Sequence, residues 1–242
     1  MLVKQKQCLS LLQSIEHNTS IEFNLNKQPL EIVTNEKLLG VLVDQHLTWK
    51  YQVEKTIKKC NSMLYLLLRI KFFLDIHSRK LFYNAYILPH LDYCSTIWGN
   101  CSDHLKNELI KIQKRAARII LDRPVDSPSA DLFKQLKWMT FPERVDYKKA
   151  ICIFKSLQSD NIKCPSYILN KFQFVNDTRL RSSHQKLLKV PKPNMEFYRN
   201  SLNYSGPKLW NDIPLDIRSC RSEKQFKDHY LKWKFPCWDN SS

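Results

Sequence analysis

The chain has 242 residues, 43% apolar and 12% aromatic, enough to fill the core of one large domain or two small ones. Thirty-nine Lys and Arg against 23 Asp and Glu leave a formal charge of +16, a balance that points to a polyanionic partner, nucleic acid first and an anionic membrane surface second. Only three glycines occur, too few for phosphate-cradling loops, so P-loop and dinucleotide-binding chemistry are excluded.

The first fifty residues read as β. Ile21-Glu-Phe-Asn-Leu25 alternates apolar and polar, Asn26-Lys-Gln-Pro29 is turn-like, Leu30 to Thr34 can return, and Leu38 to Val43 predicts a buried strand. Three strands alone bury too little to stand as a domain. Either they pack on the helix that follows, or their sheet is completed by residues outside this chain.

From Trp49 the period becomes helical. Trp49, Val53, Ile57, Cys60, Leu64 and Leu67 follow three- and four-residue steps, with Lys55, Lys58, Lys59 and Arg69 on the opposite side. A second helix is expected from about Ser78 to Leu88, stopped by Pro89, with Leu81, Phe82, Ala85 and Tyr86 inward. The segment Pro89 to Asn100 is too aromatic for a solvent loop and predicts a core crossing. A third helix, from Asp103 to about Asp122, carries an apolar stripe of Leu105, Leu109, Ile112, Ala116 and Ile119, opposite Lys111, Lys114, Arg115 and Arg118.

Arg123 to Ser129 breaks that run, after which Asp131 to Leu136 and Glu143 to Leu157 read as helices. Phe172 to Asn203 is basic and weakly periodic, with Arg179, Arg181, Lys186, Lys189, Lys192 and Arg199 around Pro191 and Pro193, and reads as an extended arm. Ser205 to Arg218 places Gly206-Pro207 before Leu209-Trp210 and ends at Pro214, a pattern that predicts a turn delivering a Trp-bearing docking clip. The last helix begins at Ser222, capped with Gln225, and sets Phe226, Tyr230 and Trp233 on one face.

Several of these segments closely resemble the region that follows the polymerase core in reverse transcriptases of non-LTR (LINE-type, jockey-like) retrotransposons. The motifs are Leu39-Gly40-Val41 followed by Leu47-Thr-Trp49, Tyr93 through Gly99 with its Trp98-Gly99 pair, Gln113-Lys-Arg-Ala-Ala-Arg118, and Gly206 through Pro214. The resemblance spans about residues 20 to 235 and implies three parts. Residues 1–48 would be a palm remnant whose sheet is completed by residues this chain does not have and whose Leu39, Gly40 and Val41 form a primer-grip-like element, with the catalytic Asp pair upstream of it. Residues 49–160 would be a thumb-like helical domain, and 161–242 a basic extension packed by a Trp clip and a terminal helix. The fold expected is mainly α, a helical bundle with a small N-terminal antiparallel β element. Gly206, Pro207, Trp210 and Pro214, with Trp98 and Gly99, are expected to be structural.

Polymerase chemistry needs carboxylates that hold two divalent metals together, and this chain has no Asp-Asp dipeptide. Asp44 and Asp92 read better as a strand-end turn residue and a buried hydrogen-bonding residue. His90 and Cys94 stand four apart without an orienting third group, so packing is favoured over nucleophilic catalysis. The expectation is a 5′-truncated fragment that does not synthesise DNA alone and has no cofactor, Mg²⁺ belonging only to a complete polymerase.

A basic face opposite an apolar stripe can be merely solvated, or it can grip a nucleic-acid backbone. The charge and the resemblance favour a sequence-tolerant RNA or DNA contact through Lys55, Lys58, Lys59, Arg69, Lys111, Lys114, Arg115 and Arg118. The competing class is a protein-interaction or assembly module using the Trp-rich segments, which requires an exposed Trp98 or Trp210.

The longest apolar run, Met63 to Leu68, falls far short of the ~20 residues that cross a bilayer, and the basic start lacks a signal-peptide core. An intracellular location, nuclear or cytoplasmic, and no membrane partner are expected. The eight cysteines, Cys8, Cys60, Cys94, Cys101, Cys152, Cys164, Cys220 and Cys237, then read as reduced thiols. A zinc site at Cys220, His229 and Cys237 is the sharper alternative, but its intervals do not match zinc-knuckle spacing, and no metal is expected.

Overall fold

A computed structural model describes residues 24–25, 28–29, 33–158, 171–175, 185–193 and 196–238. The chain is mainly helical, with small antiparallel β elements near its N-terminus. Strands β1 (Asn24–Leu25) and β2 (Gln28–Pro29) form one short pair, and β3 (Asn35–Leu38) and β4 (Val41–Asp44) another. Most of the first expected strand and of the Leu30 to Thr34 return lies outside the described residues.

The run Leu38 to Val43 is a hairpin, not one strand. Leu38 pairs with Val41 across a two-residue turn in which Leu39 and Gly40 both take positive φ, 47° and 88°. Such turns match the twist of the flanking strands, and glycine occupies the second position without strain. The Leu39-Gly40-Val41 triplet therefore sits at a hairpin tip. Side chains hold that tip in place: Lys55 Nζ donates to the Gly40 carbonyl at 2.9 Å, Tyr93 Oη to the Leu39 carbonyl at 2.6 Å, and Gln52 Oε1 accepts the Leu42 N–H at 2.9 Å. The hairpin packs onto the helix that follows it.

That helix, α1 (Lys50–Ile70), buries Val53, Cys60, Leu64 and Leu67 as the periodicity predicts, and one further 3₁₀ turn carries it to Phe73. The turn leading into it is held by Asp44, which takes the N–H groups of His46, Thr48 and Trp49. The second helix departs from expectation. It runs as α2 (Ile76–Phe82), a π turn (Tyr83–Ile87) and α3 (Leu88–Asp92), so Pro89 lies inside it. Proline has no N–H for an ordinary helical bond; the Leu88 N–H instead reaches five residues back to Tyr83, and the wider turn absorbs the missing donor. The inward face also differs from the one expected: Tyr83, Ile87 and Leu91 are buried, while Leu81, Ala85 and Tyr86 are exposed and Phe82 is half-buried.

Pro89 to Asn100 does enter the core. After α4 (Ser95–Trp98), Trp98 is fully buried, its ring stacked 5.3 Å from Phe141 and its Nε1 donating to the Tyr93 carbonyl at 2.6 Å. Gly99 is there because a Cβ would lie 2.3 Å from the Ser95 carbonyl oxygen and 2.6 Å from Val145. Helix α5 (Asp103–Leu121) packs beside α1, and α6 (Ser129–Leu136) closes this first core. Helix α7 (Phe141–Leu157) starts in a capping box between Thr140 and Glu143. It belongs to two cores at once, with Phe141 and Val145 in the first and Ala150, Ile153 and Phe154 in the second.

The second core gathers α9 (Leu202–Asp212), α10 (Leu215–Arg218) and α11 (Glu223–Lys234), preceded by the short α8 (Glu196–Arg199). Gly206-Pro207 is not a turn: both residues are buried within α9, and the helix stops only at Asp212 before Pro214 caps α10. The clip itself exists in another form. Trp210 is 2% exposed and donates to the Lys186 carbonyl at 3.0 Å, while Asn211 accepts from the Leu188 N–H at 2.8 Å and donates to its carbonyl at 3.0 Å. Thus α9 clamps the basic arm, which also bridges Leu188 to Phe174; Arg179 and Arg181 lie outside the described residues.

Candidate nucleic-acid interface

Helices α1 and α5 run side by side in the same direction, because Asn61 meets Arg115 and Lys71 meets Asp122 ten and seven residues further on. Arg115 donates to Asn61 Oδ1 at 2.9 Å and closes the seam between the two solvent edges. At about 3.6 residues per turn, Lys58 and Arg69 lie on the part of α1 that borders this seam, and Lys111 and Arg115 on the matching edge of α5. All four side chains are exposed. From Lys55 to Leu74 the chain contains no acidic residue. Acids one heptad from the seam are Glu54 on α1, exposed, and on the α5 side Glu108, paired with Lys111 at 2.6 Å, and Asp122, paired with Lys71 at 2.6 Å.

The other expected contacts are placed differently. Lys55 is half-buried against the Gly40 carbonyl, and burial, with Lys37 and Lys59 nearby, pulls its ammonium below the usual lysine range. Lys59 is exposed on the far flank of α1, where it joins burial in pulling His90 below its ordinary value. Arg118 donates to the Ser127 carbonyl at 3.1 Å and pins the loop after α5, and Lys114 is half-buried away from the seam. Periodicity assigned all eight to solvent faces. It could not separate those that hold neighbouring backbone, because a hairpin tip fifteen residues upstream leaves no signal in the pattern of a helix.

The two tempting carboxylates are fully engaged. Asp44 is buried beneath three backbone N–H groups, and Asp92 takes a bidentate Arg144 at 2.5 and 2.7 Å with Lys148 at 3.0 Å. Among the described residues no group of three His, Cys, Asp or Glu is arranged to hold a metal. Cys220 Sγ lies 3.6 Å from His229 Nδ1, but the Cys237 side chain lies outside the described residues. His90 and Cys94 do not share a helix, since the chain turns extended at Tyr93 and left-handed at Cys94. Cys60, Cys94, Cys101 and Cys220 are free thiols.

A groove of about 1310 Å³ opens at the opposite end of the same two helices, lined in part by Trp49, Glu54, Ile97, Asp103 and Glu108. Its lining mixes these three carboxylates with Lys50 and Lys106, and Asp103 is paired with Lys106 at 2.9 Å, so the groove is a less cationic surface than the seam. No helix among the described residues is long and apolar enough to cross a membrane. Comparison with family models, curated proteins and solved structures finds no match.

Proposed function

We propose that this chain is the nucleic-acid-gripping part of a LINE-type reverse transcriptase, comprising palm tail, thumb and C-terminal extension, that holds an RNA or DNA backbone with little regard to sequence. The observation that carries the reading is the joined edge of α1 and α5, where Arg115 bonds Asn61 and the exposed Lys58, Arg69 and Lys111, the last paired with Glu108, lie on the adjoining solvent faces. Four cations on one ridge suit a phosphate backbone, whose counterions they displace. The motif resemblance supports the same assignment. The chain is not expected to polymerise by itself, because Asp44 and Asp92 are committed to backbone and to Arg144 and leave no carboxylate pair for two metals. The interaction-module reading relied on exposed indoles, and Trp98 and Trp210 are both buried.

Binding of a labelled duplex and its single strands, measured between low and moderate salt, tests the reading. Log affinity should fall with log salt by roughly 0.7 to 0.9 per neutralised phosphate. Replacing Lys58, Arg69 and Arg115 together by Glu should weaken binding and flatten that slope without changing helicity. Undiminished binding by the triple variant at low salt would remove the proposed interface. Extension of a primed template by the purified chain with Mg²⁺ or Mn²⁺ would overturn the non-catalytic assignment.

A further inference from the structure

The solvent face of α1 also carries aromatic rings that no core uses. Tyr51, Lys58 and Tyr65 recur every seven residues of α1, which at about 3.6 per turn keeps them on one stripe, and Phe72 follows one heptad further on, in the 3₁₀ turn that extends the helix. Arg69 sits between the last two. Tyr65 is 63% exposed and Phe72 77%, and Phe73 beside it is 88% exposed. Each of the two striped rings has a cation against it: the Arg69 guanidinium lies 5.8 Å from the Tyr65 ring centre, and Lys71 Nζ lies 4.8 Å from that of Phe72. Exposing phenylalanines to water is unfavourable, so rings left out of the core in a cation-rich setting call for an occupant.

We propose that this stripe is a stacking platform for unpaired bases, with Tyr65 and Phe72 receiving base faces while Lys58 and Arg69 follow the phosphates. The proposal rests on the nucleic-acid reading above and adds to it a strand preference. Charge complementarity selects the occupant: the segment from Lys55 to Leu74 has no acid to repel phosphate, and alternating rings and cations are what a single strand tracks along. A duplex hides its base faces and can use only the cations.

The test compares a labelled single-stranded oligonucleotide with its duplex, using the parent chain and a Tyr65→Ala/Phe72→Ala variant. Both positions are exposed, so helicity and melting temperature should hold. The parent should favour the single strand. The variant should lose about tenfold or more of single-strand affinity, the usual scale for removing stacked rings, with the salt slope and duplex affinity unchanged. A Tyr65→Phe variant keeps the ring and should bind as the parent does. If the double alanine variant binds single strands as well as the parent while the Glu triple variant loses affinity, the platform is refuted and the cationic interface stands. If the parent binds neither nucleic acid at low salt, both fall. If the alanine variant loses only adsorption to vesicles rich in anionic lipid, the stripe is a membrane edge and the platform is refuted.

Discussion

The two cores are built on different principles. The first, from Val41 to Val145, is filled mainly by the apolar stripes of α1 and α5, long helices whose partners lie along one another. The second, from Ala150 to Tyr230, has short helices around a stack in which Phe226 lies 4.4 Å from Phe154 and 5.9 Å from Trp210. It is completed by side-chain bonds from Trp210 and Asn211 to the arm. One core follows from helical periodicity; the other depends on a few residues that join distant backbone. The cores are linked where α7 passes from one to the other, and by Lys149, buried in α7, which donates to Asn100 Oδ1 at 2.5 Å while Asn100 donates to the Asn200 carbonyl.

The largest effect should come from Trp210→Ala, which empties an aromatic site and cuts the bond to Lys186. A loss of roughly 3 to 5 kcal/mol is expected. In denaturant, the second core should open before the first, separating the unfolding signals of α9 to α11 from those of α1 and α5. A single coincident transition would mean that the two cores fold as one unit and would erase the distinction drawn above.

Gly99→Ala and Gly206→Ala compare the cores at one atom each. A Cβ on Gly99 meets backbone, the Ser95 carbonyl, at 2.3 Å, whereas one on Gly206 meets the end of the Ile153 side chain at 2.9 Å. Overpacking that backbone cannot relieve should cost about 1 to 3 kcal/mol at Gly99, toward the upper end, and less at Gly206, where Ile153 can rotate. Melting temperatures of the two variants give the order directly, and the reverse order would mean that α4 shifts more readily than α7.

Asn211→Ala removes both bonds to Leu188 but little packing. It should cost roughly 1 to 3 kcal/mol, because the Leu188 N–H and carbonyl lose their partner. Faster proteolysis of the arm around Leu188, with the first core still protected, is the expected signature.

The smallest effect is in the alkaline range and belongs to the first core. Burial pushes the Cys60 thiol up to about 12 and that of Cys101 to about 11, from an ordinary 9.0. The folded state then keeps protons that the unfolded chain releases, so stability from these groups is full below about pH 9 and falls as pH rises toward 11 and 12. Cys60→Ala should flatten that decline relative to the parent, and thiol alkylation at pH 9 should modify Cys60 only on unfolding. Rapid labelling of Cys60 in the folded chain would contradict its burial.

Sequence by itself determined the helices whose faces alternate over several turns. The stripes of α1 and α5, the break after Leu121, the Ser222 cap and the burial of Trp98 and Trp210 all follow from periodicity, capping chemistry and the cost of exposing large rings. The structural roles of Asp44 and Asp92 were legible too, since neither has a neighbouring carboxylate. Tertiary structure alone decided what depends on meetings between distant residues or on a single backbone bond. Pro89 and Pro207 remain inside helices, the first through a π turn whose buried residues are Tyr83 and Ile87. Leu39-Gly40 becomes a hairpin turn held by Lys55 and Tyr93. The cations expected to act together divide into four along the α1 and α5 seam and others that hold backbone or face elsewhere, because a lysine's sequence position fixes its helix face but not what lies within reach of its ammonium.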